Sequence, residues 1–168
     1  MNKITVCLMI AITVLFIAAC GKSFEKEKVK AEDHAEQAFL NISPINETLD
    51  TIAFHLPTGL SIKNEEPNNI ILEKGTHPYI LFYNPNEDMK SEELYEMEKS
   101  NAENIVVDRT FNDDNRFGYL IIIEQGEDLY EVTVGIGGVK ATTESKLNNI
   151  VTDTDVLMKM VSSAKIKE

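Results

Sequence analysis

A series of short apolar runs separated by turn residues, from residue 51 to residue 136, is the feature that most constrains the fold of this chain. The runs lie at residues 52–56, 60–62, 70–72, 79–83, 105–111, 117–123 and 130–136. Gly, Pro, Asn and Asp between them predict tight turns, and strands joined by tight turns pair antiparallel. The run at 79–83 is apolar on both faces, which predicts a central strand.

Two helices are predicted beside these strands. Ser91 is a candidate N-cap followed by two glutamates, which predicts a helix over residues 91–102. Thr152 or Asp153 can cap a final helix. Its core-facing residues are Leu157, Met160, Val161 and Ala164, which recur at helical spacing. The segment 139–150 fits a strand and a helix equally well. The predicted fold class is α+β, an antiparallel sheet of about six or seven strands with one helix between strands and a C-terminal helix packed on it.

The first residues have the build of a secretory signal. One basic residue, Lys3, precedes an apolar run over residues 4–17, and small residues follow that run. The alternative is a transmembrane helix. Residues 4–17 would rise only about 21 Å as a helix, whereas the hydrocarbon core of a bilayer is roughly 30 Å thick. Because charged residues begin at Lys22, the length favours a cleaved signal over a membrane span.

The end of this signal, Ile17-Ala18-Ala19-Cys20, resembles the lipobox of bacterial lipoproteins. In that class the signal is removed just before the cysteine, which carries diacylglycerol on its thiol and becomes the mature N-terminus. The resemblance implies lipidation of Cys20 and a lipid-anchored location at the extracytoplasmic face of the cell membrane. A diacylglyceryl group supplies two chains, and two chains anchor a protein stably.

The sequence divides into three predicted parts. Residues 1–19 form the signal peptide, residues 20–44 the lipidated Cys20 with a charged tether, and residues 45–168 a single globular α+β domain. Lys, Glu and Ala dominate the stretch after Cys20, which predicts a solvated spacer. The alternatives are a marginal helix and a segment whose four lysines bind the surface of anionic lipid electrostatically. Ser43-Pro44 marks the predicted boundary.

Composition excludes several classes of function. The formal net charge is −12 at pH 7, and removal of the signal takes away Lys3 but no acid. Such a surface repels the phosphate backbone, so no nucleic-acid partner is predicted. The two cysteines are Cys7, inside the signal, and Cys20. The domain therefore has no thiol for a disulfide, for nucleophilic catalysis or for zinc, and we predict no cofactor.

Residues that carry metal or acid–base chemistry are sparse and scattered. No two of the three histidines have the i, i+2 or i, i+4 spacing that presents both imidazoles to a metal. A site assembled in three dimensions from His55, His77 and Glu73 is kept as an alternative. Residues 112–115 lack the calcium-loop series and are predicted to form a turn. Residues 135–138 lack the lysine and helix of a phosphate-binding loop and predict a bulge or edge feature.

The element order looks similar to the PsbP-like/Mog1-like α-β-α sandwiches over about residues 52–166. The resemblance includes Leu56-Pro57-Thr58-Gly59-Leu60 between the first two strands and Ser162-Ser163-Ala164-Lys165-Ile166 at the end of the last helix. It implies a binding role, because members of that group are accessory and binding proteins. The leading hypothesis is a non-enzymatic protein that binds or assists another envelope protein through its sheet face or turns. The alternatives are capture of a small ligand in an apolar pocket, and an enzyme with a site assembled around His55 and His77.

Overall fold

The computed structural model describes residues 23–167 as three helices and ten strands. In chain order these are α1 (Phe24–Leu40), β1 (Glu47–Thr48), β2 (Ile52–Phe54), β3 (Ser61–Glu66), β4 (Asn69–Lys74), β5 (His77–Tyr83), α2 (Glu93–Asn101), β6 (Ile105–Asn112), β7 (Phe117–Gly126), β8 (Leu129–Ile136), β9 (Val139–Ser145), α3 (Ile150–Ser163) and β10 (Lys165–Ile166). Seven strands form an antiparallel sheet in the order β3-β4-β5-β9-β8-β7-β6. The predicted α+β fold class is confirmed.

A second, smaller sheet joins the first two strands to the last described strand. Strand β2 pairs antiparallel with β1 on one side and with β10 on the other, where Lys165 lies opposite Ala53. The first predicted strand therefore belongs to this small sheet and not to the large one. Its pairing with β10 holds the last described residues against the body of the protein.

The main core lies between one face of the large sheet and the helices α1 and α3. The predicted stripe of α3 is confirmed, since Leu157, Met160, Val161 and Ala164 are all buried. Fully burying one large apolar side chain stabilises a fold by about 1.5–3 kcal/mol. Helix α2 lies on the opposite face, where Tyr95 packs with Phe117 and Tyr119 of β7 in a second cluster. The layers are thus helix, sheet and helix.

The charged segment after Cys20 is not a spacer from residue 24 onward. It forms α1, which packs on α3 and buries Ala31, Ala35, Ala38 and Phe39. The prediction of a solvated tether is wrong there, because small apolar residues at helical spacing let two helices approach closely without a high average hydropathy. Residues 24–40 therefore belong to the folded unit, and the predicted boundary at Ser43-Pro44 is also wrong.

The segment 139–150, for which both a strand and a helix were predicted, contains a strand and the start of a helix. Residues 139–145 form β9, and α3 begins at Ile150. Neither Thr152 nor Asp153 caps that helix, since Asp153 lies inside the first turn and is buried. The predicted signal peptide and Cys20 lie outside the described residues. Within residues 23–167, no helix has both the length and the apolar character needed to cross a bilayer.

Candidate functional site

Strand β5 lies inside the large sheet, but only one of its faces is covered. Tyr79, Leu81 and Tyr83 belong to the main core, whereas Ile80 is 45% exposed and Phe82 is half-buried. The prediction that 79–83 forms a central strand is confirmed, since β5 lies between β4 and β9, but one face of the strand stays uncovered because α2 packs against β7. An interior strand thus presents apolar side chains to solvent.

The hollow between α2 and this uncovered part of the sheet is called the groove here. It has a volume of about 540 Å³. Its apolar lining consists of Ile80, Phe82, Leu94 and Met97. Met97, on the solvent side of α2, is 53% exposed. A hollow of this size can take up a few side chains of a partner or a small ligand.

Acidic side chains surround this apolar surface. Glu87, Glu93, Glu98 and Glu131 line the groove together with a single basic residue, Lys140. The Lys140 ammonium forms an ion pair with the Glu98 carboxylate. Glu93 and Glu131 have no salt bridge to any residue that the structure describes. The groove therefore carries an excess of negative charge.

The surroundings of the Glu131 carboxyl disfavour its ionised form. Burial raises the pKa of its carboxyl, repulsion from Glu98 and Glu144 raises it further, and Lys140 acts in the opposite direction. A pKa above the ordinary value means that the protein disfavours the ionised form. A cation entering the groove would relieve this cost.

The acidic surface extends along α2 beyond the groove. Glu98 and Glu131 also line an adjoining hollow of about 490 Å³, to which Glu103 and Glu124 contribute. Since both hollows share two carboxylates, the negative potential runs along the helix. An extended segment of a partner is a better match to this shape than a compact ion.

A polar network and a close contact fix the position of α2. The Lys99 ammonium lies 2.8 Å from Asp108 of β6, and the Tyr95 hydroxyl donates to the same carboxylate at 2.9 Å. This ion pair and its hydrogen bonds raise the pKa of Lys99. The Tyr95 ring also packs on the Tyr119 ring, with 5.5 Å between the ring centroids. The Tyr119 ring in turn lies directly over Gly135, where a Cβ atom would be 2.2 Å from a ring carbon. The groove is therefore bounded by a fixed helix.

The structure does not bring His55 and His77 into one site. His55 Nδ1 lies 2.9 Å from the carbonyl oxygen of Pro44, beside the small sheet. His77 Nε2 lies 2.9 Å from the Thr143 hydroxyl in the large sheet, and Glu73 pairs with Lys63. Residues 23–167 contain no group of three or more His, Cys, Asp or Glu side chains that could hold a metal ion.

A buried network that the sequence did not predict lies near His77. The Tyr79 hydroxyl donates to Asp153 Oδ1 at 2.8 Å, and the Ser145 hydroxyl donates to Asp153 Oδ2 at 2.6 Å. Burial and the Asp153 carboxylate raise the pKa of Tyr79, which keeps it a proton donor. Because the histidine contacts Thr143 and not Ser145, the arrangement lacks the serine–histidine contact of a hydrolase. The network of Tyr79, Ser145 and Asp153 joins the start of α3 to β5 and β9.

Both turns considered as sites have structural partners. Asp113 accepts hydrogen bonds from the side chain of Arg116 and from the backbone of Asn115 and Arg116, which lower its pKa. Gly137 and Gly138 form the two-residue connection between β8 and β9, so the predicted bulge is a hairpin turn. A Cβ atom on Gly137 would lie 2.2 Å from the carbonyl oxygen of Asp88. Close packing of backbone accounts for this glycine.

Neither the protein-family models nor the curated proteins compared with this chain match it. The assignment of function therefore rests on the residues and their geometry alone.

Proposed function

We propose that this protein is a lipid-anchored, extracytoplasmic binding protein without catalytic activity, which holds another envelope protein in the groove. The observation that carries the proposal is the uncovered face of β5, with Ile80 and Met97 exposed beside the unpaired Glu93 and Glu131. Apolar surface within a charged rim is typical of docking sites.

Charge complementarity identifies the kind of segment that the groove accepts. Ile80, Phe82 and Met97 favour apolar side chains, whereas Glu93 and Glu131 favour Lys or Arg. The proposed occupant is therefore a basic, amphipathic segment of an envelope protein. Such an interaction weakens as salt concentration rises, because the rim charges are partly exposed.

The proposed anchor places strong limits on where the partner lies. Cys20 precedes Phe24, the first residue of α1, by four positions. Four residues span at most roughly 14 Å. A lipidated Cys20 would therefore hold the folded body at the membrane surface, because the linker to α1 is short. The partner is expected to be a membrane protein or one that works close to the bilayer.

Site-specific crosslinking in intact cells tests the groove directly. A photo-crosslinking amino acid replaces Met97, which is 53% exposed, and in a matched control it replaces Val29 of α1, which is 54% exposed. We expect a discrete protein adduct from position 97 and none from position 29. Equal adduct patterns at the two positions would refute the groove as the docking surface.

A charge reversal tests the contribution of the acidic rim. Glu93→Lys should weaken capture of the adduct partner, whereas Glu65→Lys, an exposed acid on β3, should leave it unchanged. The anchor is tested separately with Cys20→Ala, which should abolish incorporation of labelled fatty acid. Retention of label in that variant would contradict the lipoprotein assignment but leave the groove proposal open to the crosslinking test.

A further inference from the structure

A second cavity shares Glu87 with the groove and lies between the loop after β5 and the last described residues. It has a volume of about 650 Å³ and is called the end cavity here. Its apolar lining includes Ile42, Met89, Val139 and Ile166. This volume is in the range that holds a small organic ligand.

Two residues that line the end cavity have buried polar atoms without partners. Arg116 Nη1 and Ser162 Oγ make no hydrogen bond to any residue that the structure describes. A buried polar group left unpaired costs about 1–3 kcal/mol, so such groups are uncommon in folded proteins. Two of them beside one cavity indicate that something else satisfies them.

The remaining contacts of Arg116 hold its guanidinium in place. Its Nε and Nη2 atoms donate to Asp113 Oδ2 at 2.9 and 2.6 Å. The guanidinium also lies over the Phe39 ring, with 4.3 Å between its central carbon and the ring centroid. These contacts use one edge and one face of the group. The N–H groups of Nη1 are left for another acceptor.

The lining of the end cavity is not acidic, unlike the chain as a whole. Lys165 and Lys167 balance Glu87 and Asp88, and Arg116 is paired with Asp113 outside the lining, whereas the whole chain carries a formal charge of −12. Both carboxylates accept hydrogen bonds from their own loop, Glu87 from Asn84 and Ser91 and Asp88 from the backbone of Lys90.

We propose that the end cavity binds a small organic acid with an apolar tail. The carboxylate accepts from Arg116 Nη1 and from the Ser162 hydroxyl, and the tail packs against Met89, Val139 and Ile166. Both polar atoms are closed off from water in the unbound protein, so binding requires the side chains that cover them to move aside. A neutral apolar ligand would leave both atoms unpaired.

Methionine NMR on the full chain in phospholipid nanodiscs tests this inference. Met89 lines the end cavity and Met97 lines the groove, so their ¹³C-labelled methyl groups report on the two sites separately. The probe is hexanoate, with hexylamine and hexanol as matched controls. We expect hexanoate to shift the Met89 signal saturably and to leave the Met97 signal in place. An equal response to all three compounds, or no saturable shift, would overturn the proposal.

Variants assign the response to the two polar groups. Arg116→Gln should raise the hexanoate Kd about tenfold or more, since a charge-assisted hydrogen bond is lost. Arg109→Gln is the control, because Arg109 also lies over an aromatic ring, that of Phe111, but does not line the cavity. Ser162→Ala should raise the Kd about threefold or more. An unchanged Kd in Ser162→Ala overturns the proposal even if the arginine variant fails to fold.

This inference does not depend on the proposed function. A basic peptide that shifts the Met97 methyl and not the Met89 methyl would support the groove alone, and hexanoate would do the reverse. The failure of one proposal therefore leaves the other intact.

Discussion

Replacement of Phe39 by alanine tests whether α1 is part of the core. Phe39 is 1% exposed, and its ring stacks on Phe111 with 5.8 Å between the ring centroids. The Arg116 guanidinium lies on the ring at 4.3 Å. Beneath the ring is Gly118, where a Cβ atom would come within 2.8 Å of two ring carbons. No side chain on that glycine can fill the space that the ring vacates.

The expected loss of stability follows from these contacts. Phe→Ala substitutions in a core cost about 3–5 kcal/mol, including the cavity that remains. A cation–π contact such as that with Arg116 adds about 0.5–2 kcal/mol. Because this cavity cannot collapse onto Gly118, we expect about 4–5 kcal/mol. At roughly 2–4 °C per kcal/mol for a domain of this size, the melting temperature should fall by about 8–20 °C.

Urea unfolding followed by far-ultraviolet circular dichroism measures this loss, since the chain has no tryptophan to report on it. The control is Leu40→Ala, because Leu40 is next to Phe39 but is 56% exposed. It should change the free energy of unfolding by about 0.5 kcal/mol or less. If the two variants unfold with the same midpoint as the native chain, α1 does not contribute to the core and the reasoning is wrong.

Three other perturbations have expected outcomes. Glu131→Gln should raise the melting temperature at pH 7, because the raised pKa of Glu131 means that its charge destabilises the fold. This rise in melting temperature should disappear as the pH falls through that pKa toward the ordinary value of 4.5. A rise that persists in acid would contradict the assignment. Tyr79→Phe should cost about 1.5–3 kcal/mol in urea unfolding, because a buried carboxylate loses a donor. Gly135→Ala should lower the melting temperature sharply through its clash with the Tyr119 ring, whereas Gly126→Ala, with nothing within 4 Å, should not; equal effects would exclude the clash as the cause.

The large sheet could be predicted because its information is local. Each run of apolar residues ends at a turn residue, and the hairpin connections are short, so the pairing of consecutive strands follows from the order of the runs. The pairing of β5 with β9 is the exception, because it joins strands far apart in the sequence. Helix α1 was predicted only as a marginal alternative to a solvated spacer. Ala31, Ala35 and Ala38 recur at helical spacing, but the lysines and glutamates around them favoured the spacer. The packing of α1 on α3 joins segments far apart in the sequence, and it does not follow from the local pattern.

The sequence predicted only part of the candidate site. The apolar run at 79–83 was evident, but which of its faces stays uncovered depends on where α2 packs. The role of Asp153 was hidden for a similar reason. A carboxylate near the start of a helix suggests a cap, and only the approach of Tyr79 and Ser145 from two strands makes it a buried acceptor.

Two of the four buried side-chain polar atoms that lack a partner among the described residues lie at the end cavity. They belong to Arg116 and Ser162, whereas the other two, the hydroxyls of Tyr119 and Thr154, belong to residues that line neither the groove nor the end cavity. Sequences under selection for stability alone tend to lose such conflicts, because each costs free energy. Two donors left unpaired beside one cavity are what binding of an anion at that place would require.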